Sequence, residues 1–186
     1  MLTSSYKPEP GRFLVSEPFM HDYNFKRTVV LLVEHNDQGS LGFVMNRQLN
    51  VAIDEVVKGM PAIGSAVFMG GPVEQETLQY VHRIANLPKA KEVYNGVFWG
   101  GDFMQLRQMM TMGEVSPADV LFFVGYSGWG PNQLEKELDQ KSWIVAPQAP
   151  EFIFQDDYSD MWRQVLQTMG TKYKIISNYP VDPRLN

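Results

Sequence analysis

The sequence predicts one compact domain of mixed helix and strand, on three observations. Its 186 residues exceed a typical domain of roughly 150 only slightly, too little for two independent cores. Thr28 to Glu34 and Val120 to Val124 are apolar, β-branched or aromatic runs without alternation, as expected for strands covered on both faces. Elsewhere, segments with apolar residues at helical spacing are separated by Gly and Pro punctuation.

Residues 1–11 form a Pro-rich lead, and regular structure begins near Arg12 with a short strand, Phe13 to Val15. The Thr28 to Glu34 strand turns through His35 to Ser40 into a second strand, Leu41 to Met45, so the pair reads as a hairpin. Asn50 can cap a helix that places Ile53, Val56, Val57 and Met60 on one face and ends at Pro61. The middle third is mostly strand: Ala66 to Met69, Leu78 to Ile84, Glu92 to Tyr94 and Val97 to Trp99. Asp102 is a good N-cap for a helix from Phe103 to Met112, and Gly113 a left-handed stop. After the Val120 to Val124 strand, Gly125 to Gly130 reads as a glycine-rich turn into a short helix opened by Pro131, with Leu134 and Leu138 inward. A strand from Trp143 to Ala146 and a helix from Tyr158 to Met169 complete a domain over 12–170. Residues 171–186 read as a tail, extended from Tyr179 to Pro183.

Composition narrows the chemistry. Hydrophobic residues at 44% and charged residues at 20% are ordinary for a folded domain. Sixteen Lys and Arg against 21 Asp and Glu give a charge of -5 and a pI near 5.2, a field that repels a polyphosphate backbone. No basic stripe, zinc finger or basic zipper offsets it, which argues against direct DNA binding. Without cysteine, the chain has no disulfide, thiolate zinc site, iron-sulfur cluster or cysteine nucleophile. Residues 1–10 lack an apolar signal core and no run approaches the ~18 apolar residues of a span, so a cytoplasmic location without membrane contact is expected.

The glycine-rich stretch before Pro131 is the strongest candidate for ligand contact, since a helix N-terminus offers free N–H groups to an anion. It lacks the Lys-Ser/Thr ending of a P-loop, and Glu135 and Glu137 oppose a phosphate; glycine needed for backbone geometry, with Trp129 packed on the core, is the structural alternative. Asn46 with Arg47, and Gly70 with Gly71, are two further strand-end spots. The candidate ligand set is thus Asn46, Arg47, Gly70, Gly71, Gly125, Tyr126, Gly128, Trp129 and Gln133. Ser127 lacks the Gly-x-Ser-x-Gly spacing of a nucleophile elbow, and only His21, His35 and His82 are available as bases. Glu34 and His35 are adjacent on a strand and point to opposite faces, so they do not grip one metal; His35 reads as a strand-end residue bonding a loop. Asp156, Asp157 and Asp160 suit a helix start. No catalytic residue, metal site or cofactor is assigned.

The segments GRFLVSEP (11–18), FKRTVVLLVEH (25–35), GFVMNRQL (42–49), GGPV (70–73), GYSGWGPNQLEKE (125–137) and WIVAPQAPEFIF (143–154) together resemble the bacterial YqgE/AlgH family, whose members are labelled transcriptional regulators. The resemblance spans nearly the whole chain. It implies an α+β domain with a strongly bent mixed sheet, partly closed like a small barrel and flanked by helices. It supplies no catalytic or ligand residues. Relatives often carry Pro where this chain has Gln48, Gly where it has Asn132, and Ala where it has Ser127; Asn tolerates left-handed geometry, so the turn at 132 can survive. The leading expectation is a non-enzymatic regulator acting indirectly, through a protein or small-molecule partner. The alternative is a small-ligand or nucleotide-binding protein, or an enzyme, using the strand-end cleft.

Overall fold

Each apolar run of the sequence supplies side chains to both faces of a sheet, and that sheet organises the molecule. The structure is a computed structural model that describes residues 6–180. In chain order the strands are β1 (Phe13–Ser16), β2 (Val29–Asn36), β3 (Gly39–Val44), β4 (Gln48–Ala52), β5 (Ala66–Met69), β6 (Val73–His82), β7 (Lys91–Tyr94), β8 (Val97–Trp99), β9 (Val120–Trp129) and β10 (Trp143–Ala146). The helices are α1 (Ile53–Val56), α2 (Phe103–Thr111), α3 (Gln133–Asp139), α4 (Met161–Thr168) and α5 (Thr171–Ser177), with single 3-10 turns at Pro117–Asp119 and Pro150–Phe152.

Strand pairing follows the order β10-β1-β2-β3-β9-β6-β8-β7, with β5 inserted beside β9 and β4 beside β5. Nearly all neighbours are antiparallel; β5 and β9 run parallel. The order is open, ending at β10 and β7. The fold is therefore a single α+β domain. β9 is its trunk. One edge of β9 pairs with β5 through Phe122 to Val124 and with β3 through Ser127 to Trp129, while the other edge carries β6. Gly125, at φ +68°, stands where the edge passes from one partner to the next.

Alternation along the central strands divides the core. Phe13, Val15, Val29 and Leu31 face one cluster with Met161, Trp162, Val165 and Leu166 of α4. Leu14, Val30 and Leu32 face another with Trp129, Trp143 and Leu134 of α3. Phe122 turns to a third, with Leu106 and Met110 of α2, while Phe123 packs between Phe43 and Phe68. Burying each such side chain contributes about 1.5–3 kcal/mol, which is why non-alternating runs persist where both faces are covered.

Several boundaries differ from the sequence reading. The stretch from Gly125 is not a turn: β9 continues to Trp129, because Ser127, Gly128 and Trp129 pair with Gly42, Leu41 and Ser40. Asn50 lies in β4 and does not cap a helix; residues 48–52 pair with β5, and Ala52 becomes the N-cap, its N–H donating to Glu55 at 2.9 Å. α1 stops at Val56, short of the expected Met60. α4 begins at Met161, since Tyr158 turns inward with its hydroxyl on the Ile153 carbonyl. Asp160 holds the N-cap position of α4 without a side-chain bond. Thr171–Ser177, read as tail, forms α5 with Ile176 buried; the extended tail expected at 179–183 lies mostly outside the described residues. Asp102 caps α2 as expected, accepting from the N–H groups of Met104 and Gln105.

Candidate functional site

The candidate glycines come together, but against one another. A Cβ placed on Gly70 would sit 2.4 Å from the Gly125 carbonyl oxygen, and one on Gly71 would sit 2.2 Å from the Tyr126 carbonyl. The Gly70 N–H donates to the Val124 carbonyl at 2.9 Å, while the Gly70 carbonyl accepts the Val44 N–H at 2.8 Å and the Ser127 hydroxyl at 3.0 Å. Three backbones cross here, leaving no room for a side chain. Ser127, fully buried, is held by that junction and is not presented to solvent.

Asn46 and Arg47 are likewise turned to the fold. Asn46 Oδ1 accepts the Val29 N–H at 3.0 Å and its Nδ2 donates to the Arg27 carbonyl at 2.8 Å, pinning the entry of β2. Arg47 Nη2 donates to the Lys26 carbonyl at 2.7 Å. Gln133 opens α3: its Oε1 accepts the Gly130 N–H at 3.0 Å and its Nε2 donates to Glu137 at 2.9 Å. Asn132 precedes it at φ +58°, the left-handed geometry that asparagine tolerates. Glu137 then collects both nearby indoles, Oε2 accepting from Trp129 at 2.9 Å and Trp143 at 2.8 Å.

The remaining candidates, Tyr126, Gly128 and Trp129, line an open cleft of about 410 Å3 with residues of the β2–β3 hairpin, including Glu34, Asn36 and Gln38. Among the described residues that line it, only Glu34 is charged. That carboxylate accepts from Lys91 at 2.7 Å and Asn36 at 3.0 Å, and the Lys91 hydrogen bond chiefly holds its pKa below the usual carboxylate value. Beside it, His35 Nδ1 lies 2.8 Å from Ser40 Oγ, and His35 Nε2 lies 3.7 Å from Glu135. Sequence reasoning found the strands but not this file. Its signal was the loop length: a two-residue turn at Asp37 and Gln38 puts His35 directly opposite Ser40.

His82 is fully buried at the other end of β6, its Nε2 on the Gly100 carbonyl at 2.8 Å and its Nδ1 accepting the Ile84 N–H at 3.1 Å. Burial lowers its pKa, against the opposing effect of the Gly100 carbonyl. Among the described residues, no three His, Asp or Glu side chains converge as metal ligands, and no helix is long and apolar enough to cross a membrane. Asp157 Oδ1 accepts the Ser159 N–H at 2.8 Å, a local turn contact.

Comparison with known proteins places this architecture. The sequence profile of the AlgH-like family matches residues 13–174. A UPF0301 protein of Chlorobium limicola is 41% identical over 187 residues, covering all of both chains, and one of Cytophaga hutchinsonii is 42% identical over 95% of this chain and 98% of its own. Among solved structures, the AlgH protein of Pseudomonas aeruginosa superimposes with TM-score 0.74 at 26% identity, over 96% of this chain and 98% of its own. A crystal structure from Corynebacterium diphtheriae shares the fold, with TM-score 0.77 at 23% identity over 94% of each chain. Matched in sequence from β1 into α5 and in fold almost end to end, the chain belongs to the AlgH-like family.

Proposed function

We propose that this chain is a non-catalytic regulatory domain that acts on gene expression indirectly, through a partner seated in the cleft between the β2–β3 hairpin and the end of β9. One observation carries the reading: among the described residues that line the cleft, the one charged side chain is a carboxylate, Glu34, set beside amide groups and the ring of Tyr126. Such a surface favours a peptide or small molecule that offers N–H donors to the carboxylate that Glu34 shares with Lys91, and it gives phosphate no unpaired cation. The charge of -5 supports the same choice against DNA. Cytoplasmic action belongs to this reading. So does a strongly bent, barrel-like sheet, supported by the fork of β9 at Gly125.

The experiment is a mobility shift with promoter-length duplex at two salt concentrations, beside a thermal-shift series with N-acetyl-leucyl-arginine amide, nucleotides and inorganic anions. The peptide should raise Tm with concentration while nucleotides and anions leave it flat. Selective duplex binding that weakens steeply with salt would overturn the indirect mode.

A second reading, ligand binding with turnover, is favoured by the Ser40–His35–Glu135 file, the order in which a base polarises a hydroxyl and a carboxylate orients the base. Its check is hydrolysis of p-nitrophenyl acetate that disappears in Ser40→Ala. Equal rates in the two proteins remove it.

A further inference from the structure

Along Phe122 to Val124, β9 is paired on both edges, by β5 and β6; along Ser127 to Trp129 it is paired on one, by β3. β6 begins at Val73, opposite Tyr126, and among the described residues no strand continues its line past that point. The alternation of β3 tells which main-chain groups are left open. The Val44 N–H reaches the Gly70 carbonyl, whereas the next N–H, that of Met45, reaches Val29 of β2. Even-numbered residues of β3 therefore turn their main chain toward β9 and odd-numbered ones toward β2. Ser40 and Gly42 then bond their opposites, Trp129 and Ser127, and Gly128 between these two turns its N–H and C=O to the other edge. The Trp129 carbonyl agrees, since a Cβ built on Gly39 of β3 would strike its oxygen.

Gly128 is exposed and lines the cleft with Val73, Tyr126 and Gly130. Having no side chain, it leaves its main chain bare; a Cβ there would stand 3.1 Å from the Tyr126 ring. The Gly130 N–H is already taken by Gln133 at 3.0 Å, so the open groups are those of Gly128. Sheets ordinarily blunt an open edge with charged side chains, proline or a covering segment. Tyr126 to Gly130 carries neither charge nor proline, and the edge opens on a cleft of about 410 Å3. One donor and one acceptor on a single strand residue match a single residue of an antiparallel chain, which brings an acceptor and a donor at the same spacing. A free anion or a lone cation satisfies only one of the two.

We propose that the partner of the cleft is an extended peptide segment that adds to the sheet as a short antiparallel strand on Gly128. Its main-chain N–H donates to the Gly128 carbonyl, its carbonyl accepts the Gly128 N–H, and it follows the line of β6 up to Val73. This mode rests on the regulatory reading of the cleft and deepens it: the lining side chains choose the sequence, and Gly128 fixes the backbone.

The test is amide hydrogen exchange and 1H–15N NMR of the full chain with N-acetyl-leucyl-arginine amide and with the same peptide methylated on its leucine and arginine main-chain nitrogens. In the free protein the Gly128 amide should exchange within about tenfold of an unstructured chain, while those of Ser127 and Trp129, bonded to β3, exchange slowly. Saturating peptide should slow Gly128 by at least about tenfold, and the methylated peptide, which lacks the donors, should bind at least about tenfold more weakly. Equal affinity of the two peptides, or a Gly128 amide left unprotected in the saturated complex, overturns strand addition while the cleft stands as the binding site. No binding of the unmethylated peptide removes both strand addition and the regulatory reading. A Gly128 amide already protected in the free protein also overturns the proposal: at every concentration it means a closed edge, and protection that grows with protein concentration assigns the edge to a second copy of the chain.

Discussion

Gly125 and Gly71 meet backbone to backbone: a Cβ on Gly125 would lie 2.6 Å from the Gly71 carbonyl oxygen. The same Cβ would stand 2.8 Å from the Val73 carbonyl. The contact sits where β9 passes from β5 to β3, so it sets how the two parts of the sheet join. Glycine here serves close approach and positive φ together.

Gly125→Ala therefore combines strain with a clash against backbone that has no rotamer to yield, and should cost about 3 kcal/mol or more. Gly113→Ala is the matched control. Gly113 has φ +73° but nothing within 4 Å of its Cβ position, so only the conformational cost of about 1 kcal/mol applies. Urea unfolding of both variants checks the difference; equal losses would mean that the junction is looser than described.

This junction also marks where sequence reasoning stops. The buried runs, the cap at Asp102 and the strand at Trp143 were legible because local composition and periodicity determine them. Gly125 to Gly130 was not, because glycine composition is the same in a turn and in a strand that must let another backbone approach; the deciding contact, with Gly71, is 54 positions away. β4 escaped for a related reason: Gln48 to Ala52 is half polar, and only pairing with β5 makes it a strand. Of the nine candidate ligand residues, Tyr126, Gly128 and Trp129 reach the cleft. The other six hold backbone.

Glu137 holds the indoles of Trp129 and Trp143 on one oxygen and Gln133 on the other. Glu137→Ala removes the acceptor from two largely buried N–H groups and should lower stability by about 2 kcal/mol, with a red shift in tryptophan emission as water reaches the rings. Glu137→Gln keeps one oxygen and should fall between. A loss below about 0.5 kcal/mol in the alanine variant would show that the indoles find other acceptors.

His82 ties stability to pH. Its folded pKa is lowered from the ordinary 6.5 by burial, so below that value the unfolded chain takes up a proton that the native state excludes. Stability should therefore fall as pH drops below 6.5 toward the lowered folded value, with a slope of at most about 1.4 kcal/mol per pH unit for one group. Urea midpoints from about pH 7 to about pH 5 check this, and His82→Gln should flatten the slope. An unchanged slope in the variant would assign the effect elsewhere.

At the alkaline end, Tyr80 and Tyr158 both have pKa values raised from 10.0 to about 12, chiefly by burial. A raised phenol pKa stabilises the fold fully below pH 10, and that contribution is lost as the unfolded chain ionises first, between pH 10 and about 12. Tyrosinate absorbance should rise together with unfolding in this window. Full ionisation of both phenols in a chain that stays folded would contradict their burial.

The most direct test of the regulatory reading is chemical-shift mapping of the full chain with N-acetyl-leucyl-arginine amide and, separately, a short DNA duplex. Saturable shifts of the Gly39, Gly128 and Gly130 amides are expected with the peptide, weakened in Glu34→Gln, and no clustered shifts with the duplex at physiological salt. Clustered, salt-sensitive shifts with DNA and a silent cleft with the peptide would contradict the regulatory reading.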